Sequence, residues 1–309
     1  MFASLRTLLT GIIDYAGLFP PAKLSLDQAI RHYADYRRQS NAWMLGRFVI
    51  PAARLEDLAP YQEELFRSKT PFSFSILSRG GGSLTEFLTN LRDDLRDLGA
   101  FRKLHGDRVK VDVIETRLPP ELLNPAETES ALSLFKTLQV FPVVDLFPFC
   151  EAPGHVEDLL EQLSRMPGER IGFKLRCGGL DAAAFPASQQ IALALRKCLD
   201  ASVPFKATAG LHHPLPRYDE GAKARMHGFV NVFLAGVLAH ARNLDAEQIA
   251  ELLDDTDPSH FKFTEKTVSW RRHRATTAEI QAARQEFVLS FGSCSFEEPC
   301  ADLRSLGWL

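Results

Sequence analysis

Residues 171–176 read Ile-Gly-Phe-Lys-Leu-Arg and residues 204–208 read Pro-Phe-Lys-Ala-Thr. Both runs are short, rich in apolar residues and bounded by glycine or proline, which is the pattern of a β-strand. Side chains alternate along a strand, so Phe173 and Leu175 take one face while Lys174 and Arg176 take the other. In the second run Phe205 and Ala207 oppose Lys206 and Thr208. Two strands therefore each carry an apolar face and a cationic face.

Outward from these runs, the same strand signal recurs at residues 47–51, 72–77, 109–115, 140–146, 229–233 and 261–264. Helical spacing fills the intervals. Ser83-Leu-Thr-Glu86 is a capping box, and Leu84, Phe87, Leu88, Leu91, Leu95 and Leu98 then fall on one helical stripe. Residues 54–67, 127–138, 155–165, 188–199 and 245–253 also read as helices, whereas 212–227 is rich in proline and charge. Strands that alternate with helices run parallel through right-handed crossovers. Eight such units predict an α/β chain folded as a (β/α)8 TIM-type barrel, with an open doubly wound sheet as the alternative.

This expectation divides the chain into a loop-and-helix extension at 1–45, a barrel at 46–290 and a tail at 291–309 that packs on the barrel or a neighbouring subunit. The capping box Ser25-Leu-Asp-Gln28 opens the extension's helix, and residues 276–289 read as a helix before the tail. Phe291, Phe296, Trp308 and Leu309 give the tail apolar groups to dock with.

Composition excludes several classes. Over 309 residues, 45% are hydrophobic and 24% charged, which suffices for a sizeable core. The formal net charge of −3 supplies no global field for nucleic acid or an anionic membrane. Cys150, Cys177, Cys198, Cys294 and Cys300 are odd in number and contain no CxxC pair, which argues for reduced thiols. The N-terminal MFASLRTLLTGII offers no clear cleavage site, and the apolar run from 229 to 239 is too short to span a membrane. A cytoplasmic protein is expected.

In a barrel, functional groups collect at the C-terminal ends of the strands. Lys174, Arg176 and Lys206 converge there as inward cations and require either carboxylates or an anionic ligand. Asp145 is the nearest expected partner and Glu115 another, although strict alternation places Glu115 with helix-facing valines. Lys206, Asp145 and Lys174 are the expected catalytic residues. Arg176, Thr208, His212, His213, Asn231 and Glu115 are expected to bind substrate, with Asn231 inward on a seventh strand. Adjacent His212 and His213 point apart and lack metal-ligand spacing, so no cofactor is expected; a divalent metal is an open alternative. Gly80-Gly-Gly82 could offer N–H groups to phosphate or be a turn, and Arg271, Arg272 and Arg274 read as a solvated helix entrance. Cys294 reads as a structural thiol.

Lys206-Ala-Thr-Ala-Gly210 resembles the sixth strand of the deoxyribose-phosphate aldolase group of class I aldolases, where a Schiff-base lysine opens a Lys-Thr-Ser-Thr-Gly run. The match is at the lysine and the glycine, with Thr208 as a hydroxyl stand-in for the serine. The resemblance implies a carbonyl-attacking Lys206. The group also opens its seventh strand with a second lysine, in a Lys-Ala stretch, where this reading has Phe229-Val-Asn-Val-Phe233. Lys174 is then the substitute. Together, DYAGLFPPA (14–22), KATAGLHHP (206–214) and FGSCSFEEP (291–299) resemble an uncharacterised bacterial protein family, which implies no activity.

Three functions compete. The first is a barrel enzyme, an aldolase-type lyase acting on a small anionic carbonyl or sugar acid, with Lys206 either as the Schiff-base nucleophile or as a fixed cation that clamps the substrate. The second is a divalent-metal lyase or hydrolase using Glu115, Asp145 and His212 or His213. The third is a non-catalytic binder of an anionic metabolite or a protein. A small anionic metabolite is the expected partner, without nucleic acid or membrane, and a homo-oligomer is compatible with the docking tail.

Overall fold

The computed structural model describes residues 1–67, 70–119, 145–149, 156–164 and 171–309. In chain order the elements are α1 (Ala3–Leu9), β1 (Ile13–Tyr15), α2 (Leu26–Tyr36), β2 (Leu45–Pro51), β3 (Phe72–Leu77), α3 (Leu84–His105), β4 (Val109–Arg117) and β5 (Asp145–Phe149). There follow α4 (Val156–Ser164), β6 (Phe173–Arg176), α5 (Ser188–Asp200), β7 (Phe205–Thr208), β8 (Arg217–Asp219), β9 (Ala224–Met226), α6 (Phe229–Arg242) and α7 (Ala246–Asp254). The chain ends with β10 (Phe261–Phe263), β11 (Thr267–Trp270), β12 (His273–Thr276), α8 (Thr277–Glu286), β13 (Val288–Ser293) and α9 (Glu297–Ser305). Strands β1 to β7 and β13 belong to one eight-stranded sheet. The fold class is the expected (β/α)8 TIM type.

Two of the eight expected strands are different ones. Residues 229–233 open the helix α6, and Phe261–Phe263 pairs antiparallel with β11 in a separate three-stranded sheet. Their places are taken by β1 and β13. The reason is periodicity. From Phe229 to Ala239 every residue of α6 is buried, and a helix buried all round carries no polar stripe to betray its 3.6-residue repeat. Residues 54–67, expected as a helix, form 3₁₀ turns with Pro60 inside one of them, which an α-helix interior disfavours. The expected helix at 127–138 and residues 140–144 of the expected fourth strand lie outside the described residues. The Ser25 capping box forms in full, with Ser25 Oγ accepting from Gln28 N–H at 3.2 Å; at Ser83 only one half of the expected box forms, Ser83 Oγ accepting from Glu86 N–H at 3.3 Å while the Glu86 carboxylate takes the Gly82 N–H.

The chain divides into two units, Met1–Gly46 with Leu175–Leu309, and Arg47–Lys174. In the first unit β13 pairs in parallel with β1 and with β7, in the register Asp14↔Gly292↔Thr208. Alternation then places Asp14, Lys206, Thr208, Ser290 and Gly292 on one face. The opposite face carries Ile13, Phe205, Ala207 and Phe291. Against Phe291 pack Phe229 and Phe233 of α6, with ring centroids at 5.2 Å and 5.8 Å. The expected tail is ordered into β13 and α9, with Phe296, Cys300 and Leu303 buried and Trp308 edge-on to Phe263 at 5.1 Å.

In the second unit β2, β3, β4 and β5 pair in parallel in that order. Phe74 lies opposite Val111, but Ser75 lies opposite Val113, so β4 gains one residue at Asp112. This bulge shifts the alternation. Val111 and Ile114 join the face where Phe74 meets Phe66 and Phe101, while Val113 and Glu115 turn to the face of Ser75. Strict alternation had placed Glu115 with the helix-facing valines, and the bulge corrects that. Among the described residues no helix is long and apolar enough to cross a membrane.

Candidate functional site

On the polar face of the first unit, Lys206 Nζ donates to Asp14 Oδ2 at 2.5 Å. Ser290 Oγ donates to the same oxygen at 2.7 Å. Lys206 is 1% exposed and Asp14 0%, so this charge pair is dry. A buried ammonium is tolerable only with such a counter-charge and further hydrogen bonds. Space for the carboxylate is left by Gly46, where a Cβ would come within 2.4 Å of Asp14 Oδ1.

The three sequence segments singled out above meet here. Ala16 N–H donates to Ser293 O at 2.6 Å, so the loop after β1 follows the end of β13. The Cys294 thiol receives the N–H of Ala22 and is pushed up by burial. Tyr15 and Tyr36 lie edge to face at 5.3 Å, and burial raises both hydroxyls above the ordinary tyrosine value. Thr208, half-buried, stands beside Gly292. Beyond it the chain turns through Ala209 at φ +58° and Gly210 at φ +66°. A Cβ at 210 would lie 2.7 Å from Cys177 O, so glycine is required there.

This turn presents the two histidines to α9. His212 Nδ1 lies 3.2 Å from Glu298 Oε2, and His213 Nδ1 lies 2.5 Å from Asp302 Oδ2. The hydrogen bond to His212, more than any other group, holds the Glu298 carboxyl below the usual carboxylate range. Arg176, at the end of β6, is exposed.

The second unit contains a similar couple. Lys174 Nζ donates to Glu115 Oε2 at 2.7 Å, and Ser75 Oγ donates to Glu115 Oε1 at 2.8 Å. The ammonium also lies 3.6 Å from the centroid of the Phe149 ring, in cation–π contact.

Of the other expected site residues, Asn231 is not on a strand. It sits in the first turns of α6, fully buried, where its Nδ2 donates to the carbonyls of Leu252 and Asp255 at 2.7 Å and 2.8 Å. These bonds tie α6 to the end of α7. The side chain of Asp145 lies outside the described residues. Gly82 N–H is taken by the Glu86 carboxylate at 2.8 Å, so that turn caps its own helix. Arg271 pairs with Asp255 at 3.2 Å and lies over Trp270. Burial pushes the Cys177 thiol up to about 12, as befits a structural thiol. Among the described residues no group of three His, Cys, Asp or Glu side chains could hold a metal ion.

Sequence reasoning missed Asp14, Ser290, Glu298 and Asp302 as partners. The signal for Asp14 was its place at the head of DYAGLFPPA, and Glu298 stands within FGSCSFEEP. Strand numbering also changes. Because Ile13–Tyr15 is β1, Lys206 stands on the seventh parallel strand and Lys174 on the sixth.

No family model and no curated protein matches the chain. Among solved structures it is similar to the deoxyribose phosphate aldolase of Aeropyrum pernix, which is described as a unique tetramer. The match has 12% identity and a TM-score of 0.48, covering 98% of this chain and 97% of that one. It is also similar to the malate synthase of Haloferax volcanii in its magnesium and glyoxylate complex, at 10% identity and a TM-score of 0.44, covering 89% and 74% respectively.

Proposed function

We propose that the chain is an enzyme acting on a small anionic carbonyl or sugar-acid compound, an aldolase-type lyase in which Lys206 attacks the carbonyl. The observation that supports this is the dry Lys206–Asp14 couple, with Ser290 on the same carboxylate. A lysine is nucleophilic only after losing its proton, and a carboxylate 2.5 Å away is a base in place to take it. The neutral amine adds to the carbonyl carbon. The proton on Asp14 then goes to the carbinolamine oxygen, which departs as water. An iminium remains beside a regenerated carboxylate, so charge is conserved. Thr208, Arg176 and His212 are assigned to the anionic end of the substrate. A cytoplasmic enzyme that assembles as a homo-oligomer is part of the same proposal.

Borohydride trapping with pyruvate, acetaldehyde and dihydroxyacetone phosphate, followed by peptide mass mapping, tests the proposal. A reduced adduct on Lys206, lost in Lys206→Met, is expected. Absence of an adduct on that peptide across all three compounds overturns it.

One observation favours a second reading. Lys174 is the lysine on the sixth strand and is paired with Glu115. If Lys174 is the nucleophile, the same mapping finds the adduct on the Lys174 peptide instead. The metal-dependent alternative has less support, since Glu115, His212 and His213 each hold another charged side chain.

A further inference from the structure

We infer that Gly292 sets the size of the carbonyl compound that Lys206 can attack, because the room left by its missing side chain is the approach to the Lys206–Asp14 couple. This assignment rests on the reading that Lys206 forms an iminium. It goes beyond that reading by naming what limits the substrate's bulk.

Strand register places the glycine. Asp14, Gly292 and Thr208 lie level on β1, β13 and β7, and β13 is the strand between the other two. Lys206 stands two residues before Thr208 and donates to Asp14 on the far strand, so its side chain crosses over β13. On the same face β13 presents Ser290 and Gly292, one on either side of that crossing. Ser290 lies toward the strand starts and bonds the shared carboxylate oxygen at 2.7 Å. Gly292 lies toward the C-terminal strand ends, from which a (β/α)8 fold receives its ligands.

Two glycines flank Asp14, and their surroundings differ. A Cβ at Gly46 would lie 2.4 Å from Asp14 Oδ1, so the carboxylate itself takes up that room. A Cβ at Gly292 would meet, among the described residues beyond its chain neighbours, Thr208 alone, with Oγ1 at 2.9 Å and Cβ at 3.7 Å. Asp14, Lys206 and Ser290 are dry, yet Gly292 is only half-buried. The opposite face of β13 is covered where Phe229 and Phe233 rest on Phe291, so solvent reaches Gly292 from the side of Lys206.

Conformation does not demand glycine here. The residue is strand backbone in register with both neighbours, a conformation open to any side chain. A glycine inside a strand costs stability and marks a place where a ligand or another backbone comes close. The nearest group to the missing side chain is the Thr208 side chain rather than a backbone, which leaves the ligand. A carbonyl group in this room has the Lys206–Asp14 couple on one side and the Thr208 hydroxyl on the other. Bulk on the carbonyl carbon must therefore fit past Thr208.

The experiment uses the full chain with two neutral aldehydes, acetaldehyde and isobutyraldehyde, as probes, so that recognition of an anionic group plays no part. Borohydride trapping with peptide mass mapping reads the rate of adduct formation on Lys206 in the unsubstituted protein, in Gly292→Ala and in Thr208→Ala. Gly292→Ala is expected to lower the rate with isobutyraldehyde about tenfold relative to that with acetaldehyde. Thr208→Ala, which only removes atoms, should move the same ratio the other way. Loss of packing slows both probes alike and leaves the ratio where it was. A ratio unchanged in Gly292→Ala, with the Lys206 adduct formed, overturns the role of Gly292 alone. Where Gly292→Ala does not fold, an unchanged ratio in Thr208→Ala overturns it. No adduct on Lys206 in the unsubstituted protein overturns the iminium reading and this assignment with it.

Discussion

The two units each bury one lysine against one carboxylate, and each carboxylate also receives a serine hydroxyl. They differ in what else surrounds the ammonium. Lys174 has the face of Phe149 as well as Glu115, whereas Lys206 and Asp14 are drier and depend on Gly46 for room. The ring adds an electrostatic hold that survives loss of the carboxylate. The ring face thus gives Lys174 one hold that does not depend on its carboxylate.

The largest expected effects come from breaking each couple. Asp14→Ala removes the counter-ion of a buried ammonium and should cost about 4 kcal/mol of unfolding free energy. Glu115→Ala should cost about 1 kcal/mol less, because the cation–π contact remains. Denaturant titration of both variants checks the order, and an equal or inverted loss breaks the contrast between the two lysines.

Next come the hydroxyls. Ser290→Ala and Ser75→Ala each remove one hydrogen bond to a buried carboxylate, and each should destabilise by about 2 kcal/mol. A near-zero effect at one position only would show that the two couples are not built alike.

The smallest effect concerns acid. Burial holds both His105, in the second unit, and His227, in the first, below the ordinary imidazole value. A depressed histidine pKa means the unfolded chain binds the proton more readily. The stability is complete above pH ~6.5 and declines as pH falls toward the folded value. The units differ in that neither His105 nitrogen has a hydrogen-bond partner among the described residues, while His227 Nε2 lies 2.7 Å from Pro186 O. His105→Phe, seated against Phe66 and Phe101, should therefore raise stability by about 1 kcal/mol at pH 5 and by less at pH 7.5. His227→Phe should not. Thermal unfolding at the two pH values separates them.

Much of the fold was legible because it depends on local pattern. Residues 72–77 and the capped helix from Leu84 form where alternation and the capping box put them. The failures have local causes too. Three residues, Ile13–Tyr15, are too few to show alternation, and Val288–Ser293 contains two serines and a glycine where a strand signal wants branched apolar groups. The run at 229–233 was apolar on every side and so fitted either element. Of the candidate site, the cations on β6 and β7 were readable from period two. Glu115 was ambiguous because a bulge is invisible to a counting rule.

The sequence by itself determined the alternation of strands and helices and which side chains share the face of Lys174 and of Lys206. Only the tertiary structure decided their counter-ions. Asp14 is 192 residues from Lys206 and Glu115 is 59 from Lys174, separations over which no local propensity carries information. Strand register alone brings such groups within hydrogen-bonding distance. Register is set by the packing of the opposite, apolar face, where Phe229 and Phe233 rest on Phe291 in one unit and Phe74 meets Phe66 and Phe101 in the other.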